Sequence, residues 1–399
     1  MKMILQKAYK YKLKTNTVHE QLFASYAGCC RFVWNHFLSL QKQRLEAKEK
    51  LYTYNQLSSM LTALKKTPEY PWLKETYSVL LQQTLRDLDR AIWQALKKGS
   101  DKRFPVFKKK GDKDGFRYPA AFSVNDSVIK LPKIKGRIRF FNSQALEGKL
   151  RNLTIKRESD GWYCSIQTQR VVSEPVHTSA SVIGVDRGVV NLVALSDGTL
   201  VGGCDFEKDN LRIKLLQRRC SKKKKFSANW KKDNKRIARL KKKIADKRND
   251  YLHKLSNKIS KNHALIVVED LKVKNITRSA AGTVEKPGKG VRQKAGLNRS
   301  ILEQGWGELV RQLEYKSQWR GGRLISIPAH YTSQQCNNCG HTTKENRINQ
   351  AKFVCQSCGH EDHADVNAAK NILAAGHAVI ACGERTLVPS VKQEPSVAA

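Results

Sequence analysis

Apolar and polar residues alternate through the first stretch of the chain, KMILQKAYKYKLK, residues 2–14. Successive side chains of a β-strand point to opposite faces, so this alternation indicates a strand with one buried face. The outer face carries Lys10, Lys12 and Lys14. The inner face carries the apolar residues Met3, Leu5, Tyr9, Tyr11 and Leu13. The pattern therefore predicts a half-buried first strand with a basic outer surface.

The alternation returns between about residues 120 and 172, in short segments that turn residues separate. Gly136, Gly148 and the pair Asp160-Gly161 mark those turns. We expect the first strand to join these segments in a small β-barrel. The alternative interpretation is two independent domains.

From residue 15 to about residue 100, apolar residues recur every three or four positions, as on one face of a helix. Thr15-Asn16-Thr17 supplies a helix N-cap, and Pro71 separates predicted helices at about 55–66 and 76–97. We therefore predict a helical module that is inserted into the barrel.

A basic loop, residues 101–118, follows the helical module and is interrupted by proline and glycine. Its aromatic residues Phe104, Phe107 and Phe116 have two possible roles. They could stack on nucleic-acid bases, or they could anchor the loop to the core. The sequence leaves both roles open.

After Pro175 the pattern changes to buried strands and long helices. Strands are predicted within residues 181–198, 263–271 and 322–328, because each contains an apolar run of strand length. The remaining predictions are a basic helical hairpin at 207–262, a mobile loop without apolar period at 277–296, and helices at about 300–319 and 366–375. The fold class is therefore mixed α+β and multidomain.

The net charge narrows the choice of partners. Lysine and arginine total 75 and acidic residues total 35, so the formal charge is 75 − 35 = +40. A surplus of this size repels itself unless a polyanion neutralises it, and nucleic acid is the polyanion that lysine and arginine bind best. A membrane surface is disfavoured, because we find no apolar run near 18 residues and no signal sequence at Met1. A ribosomal-type basic protein would carry such a charge but would not need a large mixed core.

Four of the ten cysteines form two C-x-x-C pairs, Cys336/Cys339 and Cys355/Cys358. Four thiolates at this spacing can hold zinc in a closed tetrahedral site, so a structural Zn²⁺ is expected. The glycine after each pair suits the turned backbone that a metal site of this kind needs. The other cysteines have no pairing pattern, which fits a reducing cytosol better than a disulfide framework.

Three acids are each tied to a predicted core element. Asp186 ends the apolar run VIGV, Glu269 ends LIVV, and Asp365 opens the last helix. Burying a carboxylate is costly unless it is paired or binds metal. Acids in this order are typical of a ribonuclease-H-type fold, in which carboxylates hold two Mg²⁺ ions for phosphodiester cleavage. Taken singly, each acid could instead be a turn residue, a strand end or a helix cap.

Several segments together identify a family. GVDRGVVNLVALSDG, IVVEDL, SILEQGWGELVRQLEYK, the two C-x-x-CG pairs and DHADVNAAKNIL resemble the TnpB family of transposon-encoded relatives of type V CRISPR effectors. KYKLKTN, CRFVWNHFL and FPVFKKK near the start of the chain match as well. The resemblance covers nearly the whole chain.

The resemblance implies an RNA-guided DNA endonuclease with one RuvC-type site, in which RNA pairing reads the target and the protein reads a short adjacent motif. It places the catalytic, magnesium-binding acids at Asp186, Glu269 and Asp365. The zinc ligands map to Cys336, Cys339, Cys355 and Cys358, and the readers of the adjacent motif map to Tyr54, Ser58 and Gln82. Many members have an arginine just before the DVNAA segment, whereas this chain reads Asp362-His363-Ala364-Asp365.

The resemblance also implies a domain plan. Residues 1–14 and 115–175 would form a wedge-like β-barrel, and 15–114 a helical recognition module. Residues 176–330 and 361–385 would form the RuvC-like nuclease domain, 331–360 its zinc-binding insertion, and 386–399 a disordered tail. The expected partners are a guide RNA from the transposon end and double-stranded target DNA, bound by a monomer in the prokaryotic cytosol.

Two other functions remain possible from the sequence. The same acids could serve a transposase that performs strand transfer without a guide RNA. The chain could also be an RNA-guided DNA-binding protein without nuclease activity, although such a protein would be expected to lose the acids.

Overall fold

The computed structural model describes residues 2–328 and 331–381, and the chain divides into two units, Met1–Ser173 and Glu174–Ala399. The tail predicted at 386–399 lies outside the described residues. Each unit has its own sheet.

The first unit combines a sheet with a group of helices. Its elements are β1 (Lys2–Lys14), α1 (Thr17–Glu46), α2 (Tyr54–Leu64), α3 (Ser78–Leu96), β2 (Gly115–Tyr118), β3 (Ser123–Asn125), β4 (Val128–Lys130), β5 (Ile138–Phe140), β6 (Lys149–Glu158) and β7 (Gly161–Ser173). The strand order is β2-β6-β7-β1-β5-β4-β3. The first strand therefore joins the later strands, as predicted, and the helices interrupt the sheet in sequence.

The apolar face of β1 is buried, as its alternation predicts: Tyr9 and Tyr11 are each only 1% exposed. Helices and strands of this unit share one core, in which Phe23 of α1 packs against Trp162 of β7 with ring centroids 5.3 Å apart. Phe116 from the basic loop is buried in the same core, and Phe104 packs against it. Anchoring is therefore the role of these two aromatic residues, whereas Phe107 remains about half exposed.

The second unit is built around a five-stranded sheet. Its elements are β8 (Val182–Asp186), β9 (Asn191–Leu195), β10 (Leu200–Gly202), α4 (Glu207–Ser221), α5 (Ala228–Asn262), β11 (Leu265–Glu269), α6 (Val273–Ile276), α7 (Val291–Gln304), α8 (Trp306–Trp319), β12 (Arg323–Ile327), β13 (Lys352–Val354), β14 (Glu361–His363) and α9 (Ala364–Ala381). The strand order is β10-β9-β8-β11-β12, with β8, β11 and β12 parallel. β13 and β14 form a separate antiparallel pair.

The two faces of β8 are covered by different helices. Ile183 and Val185 belong to a core cluster that includes residues of α5 and α8. Gly184 points the other way, and a Cβ at this position would collide with the main-chain oxygen of Ala369 in α9. The absence of a side chain at Gly184 therefore lets α9 approach the strand that ends in Asp186.

Two predictions in this unit were wrong in detail. α7 begins at Val291, inside the predicted 277–296 loop, and the single helix predicted at 300–319 is two helices. Ile301 is the one buried residue described in α7, so that helix has no apolar stripe to reveal it. Gly305 separates α7 from α8 with φ 74°, a left-handed conformation that glycine adopts readily.

No helix among the described residues is long and apolar enough to cross a membrane.

The close approach at Gly184 generates a prediction. Gly184→Ala should destabilise the second unit by about 3 kcal/mol, because the added methyl group meets backbone that cannot rotate away. Gly202→Ala is the matched control, since a Cβ there meets nothing within 4 Å. Urea unfolding followed by circular dichroism measures both, and equal midpoints for the two variants would contradict the packing described for Gly184.

Candidate active site and metal centre

The register of the sheet brings Asp186 and Glu269 together. β8 and β11 run parallel, and Val185 lies opposite Val268. The next residue of each strand is Asp186 and Glu269, so the two carboxylates leave the same edge of the sheet from neighbouring strands. Their adjacency follows from strand pairing, which no local sequence pattern specifies.

Asp365 arrives from the first turn of α9. Its main-chain N–H donates to Nδ1 of His363 at 3.2 Å. Its Oδ2 lies 3.8 Å from where a Cβ on Gly188 would stand, so the carboxylate lies against the loop that follows Asp186. Asp365 and Glu269 are each 9% exposed. The structure therefore gathers all three predicted acids in one place.

The pKa of Asp186 is affected by its burial and by the two neighbouring acids. Its pKa is raised from 3.8 to about 7, chiefly by burial and then by the nearby charges of Glu269 and Asp365. The main-chain N–H of Arg187 and the charge of Arg347 act in the opposite direction. Neighbouring carboxylates that disfavour one another's ionisation are a common setting for catalytic metal ions.

The carboxylate oxygens suit hard divalent cations such as Mg²⁺. Among the residues that the structure describes, the four cysteines are the group whose ligand atoms all lie within 4.8 Å of one another, and the three acids do not converge so tightly. Acids that share two ions about 4 Å apart need not converge on one point. The donor set therefore fits a site for divalent ions between the three carboxylates.

The cysteines form the second centre. Sγ of Cys336 lies 3.7 Å from Sγ of Cys358, and Sγ of Cys339 lies 3.5 Å from Sγ of Cys355. Four thiolates around a tetrahedral zinc are about 3.8 Å apart, given Zn–S bonds of about 2.3 Å. The cluster can therefore hold a metal such as zinc, as the spacing predicts.

The two cysteine pairs have the same backbone. Gly340 N–H donates to Cys336 O at 2.9 Å, and Gly359 N–H donates to Cys355 O at 3.0 Å. Both glycines have positive φ, 78° and 68°. The turned backbone that we predicted after each pair is confirmed.

Two polar side chains connect the segment around the cysteines with the acids. The Thr332 hydroxyl donates to Oε1 of Glu269. Arg347 Nη2 lies 3.0 Å from Oδ1 of Asp365. Two of the three acids are thus positioned by residues from this segment.

The first cysteine pair is also bonded to α9. Oδ1 of Asn367 accepts from the N–H of Asn337 at 3.0 Å, and its Nδ2 donates to Gln335 O at 2.8 Å. Nδ2 of Asn371 donates to the same Gln335 oxygen and to Thr332 O. Both asparagines are buried. They fix the cysteine segment to the helix that carries Asp365.

The neighbouring polar residues have other partners. Asp362 accepts from the N–H of His363 and from Lys370 Nζ, each at 2.7 Å. Lys352 pairs with Glu361 at the surface. Asp362 and Glu361 are therefore structural or surface charges, and Asp365 alone of this group faces the other two acids.

The predicted motif-reading residues lie on two neighbouring helices of the first unit. Tyr54 and Ser58 are one turn apart on α2, and Gln82 is on α3. All three are partly exposed. The guanidinium of Arg86, one turn after Gln82, lies 5.1 Å from the centre of the Tyr54 ring, which brings the two helical surfaces together.

Several residues of the site were not predicted from the sequence: Thr332, Arg347, Asn367, Asn371 and Arg187. Asn367 and Asn371 stand at positions i and i+4, a spacing that puts them on one face of a helix. The others are far in sequence from the acids they contact, so only the fold reveals them. Arg187 directly follows Asp186 in the chain, and its side chain is buried.

The raised pKa of Asp186 generates a prediction. Ionisation of Asp186 is harder in the folded protein, so stability falls as the pH rises from about 4 through about 7. In EDTA at pH 8, Asp186→Asn should therefore raise the free energy of unfolding by up to about 4 kcal/mol and so raise the unfolding temperature. At pH 4 the substitution should have little effect. Asp197→Asn, on the exposed turn between β9 and β10, is the control and should show no such pH dependence.

Differential scanning calorimetry in EDTA at both pH values measures this effect. A stability loss of equal size at both values in Asp186→Asn would contradict the electrostatic account.

The cysteine cluster generates a second prediction. Wild-type protein should contain zinc, and Cys355→Ser should lose most of it. Because Asn367 and Asn371 join the cluster to α9, amide exchange at the start of α9 should also become faster. Cys204→Ser, outside the cluster, should keep both the zinc content and the exchange rate. Elemental analysis measures the zinc content, and hydrogen–deuterium exchange measures the amide exchange rate. If Cys355→Ser lost its zinc but kept the wild-type exchange rate at the start of α9, the prediction that the cluster stabilises this helix would be wrong.

Three family comparisons match parts of the chain. Residues 163–280 match the family OrfB_IS605, described as "Probable transposase", and residues 306–372 match "Cas12f1-like, TNB domain". Residues 1–50 match a family described as "Helix-turn-helix domain". The structure has one strand and one long helix in that range, not a helix-turn-helix.

Full-length relatives and a solved structure extend these matches. "Putative RNA-guided DNA endonuclease InsQ" of Escherichia coli K12 is 49% identical over 395 residues, 98% of this chain and 97% of the relative. A "Putative RNA-guided DNA endonuclease" of Streptomyces pristinaespiralis is 33% identical over 98% of this chain and 96% of its own. In fold, the chain is similar to Cas12f1 in its complex with guide RNA and target DNA, with a TM-score of 0.53 and 14% identity over 92% of this chain and 98% of the other. That neighbour supports a mixed α/β fold. The identity to full-length relatives shows that the chain belongs to the TnpB family of transposon-associated proteins.

Proposed function

We propose that the protein is an RNA-guided DNA endonuclease, encoded by a transposon, that hydrolyses phosphodiester bonds of target DNA at Asp186, Glu269 and Asp365. The observation that carries this proposal is the meeting of the three carboxylates at one edge of the parallel sheet. Bringing three carboxylates together is costly, and bound divalent cations would offset that cost. Full-length relatives described as RNA-guided DNA endonucleases support the same function.

The topology of the second unit supports a ribonuclease-H-like, RuvC-type nuclease domain. Asp186 lies on the central strand β8, which is followed by an antiparallel hairpin, and Glu269 lies on the neighbouring parallel strand β11. The helix that carries the third acid packs on the same sheet through Gly184. This arrangement supports the ribonuclease-H-type fold that the order of the acids predicts.

The three carboxylates would hold the divalent ions, and bound Mg²⁺ would supply activation of water and stabilisation of the leaving oxygen. Glu269 is oriented by the Thr332 hydroxyl, and Asp365 by Arg347. Asp186 would be ionised with cations bound, because positive charge would oppose the effect of the neighbouring acids on its pKa.

The basic surfaces of both units supply contacts to guide RNA and target DNA. The net charge of +40 is spread over strands and helices, with outward lysines on β1 and dense lysine and arginine on α4 and α5. Contacts of this kind bind the phosphate backbone without reading sequence. Base pairing with the guide would then supply sequence specificity.

Tyr54, Ser58 and Gln82 are proposed to read the short motif beside the target. They are partly exposed on α2 and α3, and Arg86 extends that surface. In this plan residues 15–114 form the recognition module, with a wedge-like barrel from 1–14 and 115–175. Residues 176–330 and 361–385 form the nuclease domain, with the zinc-binding insertion at 331–360.

The proposal predicts which acids are essential. With guide RNA bound, Glu269→Gln should lower target cleavage by at least about a thousandfold while target binding is retained, because the amide cannot hold the divalent ions. Asp270→Asn is the matched control: it changes the adjacent acid, which is exposed, and should leave cleavage near the wild-type rate. Cleavage is measured on a labelled duplex, and binding by electrophoretic mobility shift.

Other outcomes distinguish other functions. Cleavage by Glu269→Gln at the wild-type rate would overturn the assignment of the site. Strand transfer of transposon ends without any RNA would instead indicate a transposase. Guided binding without cleavage by the wild type would indicate a nuclease-independent binding protein.

A further inference from the structure

Arg187 is a buried cation immediately after the first acid. Its side chain is 7% exposed, and Nη2 donates to the main-chain oxygen of Glu269. Its Nε is buried and has no hydrogen-bond partner among the described residues. A charged group in such a position is costly unless nearby opposite charges compensate it.

The compensating charges belong to the acid site. Burial lowers the pKa of Arg187, whereas Glu269, Asp186 and Asp270 act in the opposite direction. The compensation therefore comes from the charges of Glu269, Asp186 and Asp270 and from the Glu269 main-chain oxygen that accepts the Nη2 hydrogen bond. Arg187 is thus linked to two of the acids proposed to hold metal.

The loop that carries Arg187 is fixed from the other side. Nε1 of Trp306 donates to Gly188 O at 3.2 Å, and Nε2 of Gln304 donates to Val189 O at 2.7 Å. The backbone after Asp186 is therefore anchored by residues at the junction of α7 and α8. A guanidinium on this anchored backbone can in turn fix the end of β11.

Arg320 is another arginine of the same unit, and its guanidinium has different partners from that of Arg187. It donates to the Ser260 hydroxyl, to Lys316 O and to Asn257 Oδ1, at 3.1, 3.3 and 2.6 Å. Its partners are neutral, and it has no described contact with the acid site. Arg320 therefore provides a control for the loss of an arginine that bonds main chain.

We propose that Arg187 is a positioning residue of the nuclease site: it fixes the end of β11 beside Asp186 and offsets the repulsion between the carboxylates before metal binds. The inference rests on the proposed function, since it takes the acids as the metal site. Arg187 does not touch the substrate in this role. It keeps the site assembled when no cation is present.

A metal-independent test uses pairs of substitutions in EDTA at pH 8. Arg187→Met should lower the unfolding temperature by several degrees in the wild type and by clearly less in the Asp186→Asn background, because fewer charges then repel one another. Arg320→Met should lower the unfolding temperature by the same amount in both backgrounds. Arg187→Lys keeps the charge and replaces Arg187→Met in the test if that variant does not fold. It should lower the unfolding temperature less than Arg187→Met, and its effect should still be smaller in the Asp186→Asn background. Equal losses for Arg187→Met, or for Arg187→Lys in its place, in both backgrounds would overturn the inference.

A second test uses Mg²⁺ as the probe. Mg²⁺ should raise the unfolding temperature of Arg187→Met by more than that of the wild type, since the ions replace the missing positive charge. Guided cleavage by Arg187→Met should fall about tenfold to a hundredfold, with a higher Mg²⁺ requirement, as is usual for residues that orient metal ligands. A wild-type Mg²⁺ requirement and cleavage rate in this variant would also overturn the inference.

The two proposals fail differently. Coupling between Arg187 and Asp186 in EDTA, together with a wild-type protein that neither binds Mg²⁺ nor cleaves guided targets, would overturn the proposed function and retain the electrostatic role of Arg187. Mg²⁺-dependent cleavage without that coupling would retain the function and overturn the role of Arg187.

Discussion

The repulsion between carboxylates at the ends of two parallel strands is the constraint on which the second unit depends. β8 and β11 pair in a register that sets Asp186 beside Glu269, and α9 adds Asp365. The raised pKa of Asp186 expresses the resulting electrostatic cost. Apolar packing on both faces of the sheet must hold these groups together, because their own interaction drives them apart.

Specific polar contacts in the rest of the unit hold the acids in place despite this repulsion. Thr332 and Arg347 bond two of the acids, and buried asparagines fix the cysteine segment to α9. The cysteine cluster can thus influence the acid site without contributing a ligand to it. A metal such as zinc would fix the local backbone, and the asparagines would transmit that order to the helix that carries Asp365.

Negative and positive charge lie in different parts of the chain. The acid site concentrates negative charge at one buried edge, whereas the surface carries a large positive surplus. The surplus favours long phosphate backbones, and the acids favour the small cations that phosphate cleavage requires. The first unit adds a core shared by helices and sheet, with Tyr54 and Arg86 in contact at its surface.

The sequence by itself determined the local elements and the chemistry of the site. The alternation in residues 2–14 predicted β1, and the cysteine spacing predicted a four-thiolate cluster. The sequence missed the first part of α7, because that helix buries too little apolar surface to show a period. Only the tertiary structure decided that Asp186, Glu269 and Asp365 meet, and that Arg187, Thr332 and Arg347 surround them. Strand register and long-range side-chain contacts bring these groups together, and neither leaves a periodic signal in the chain.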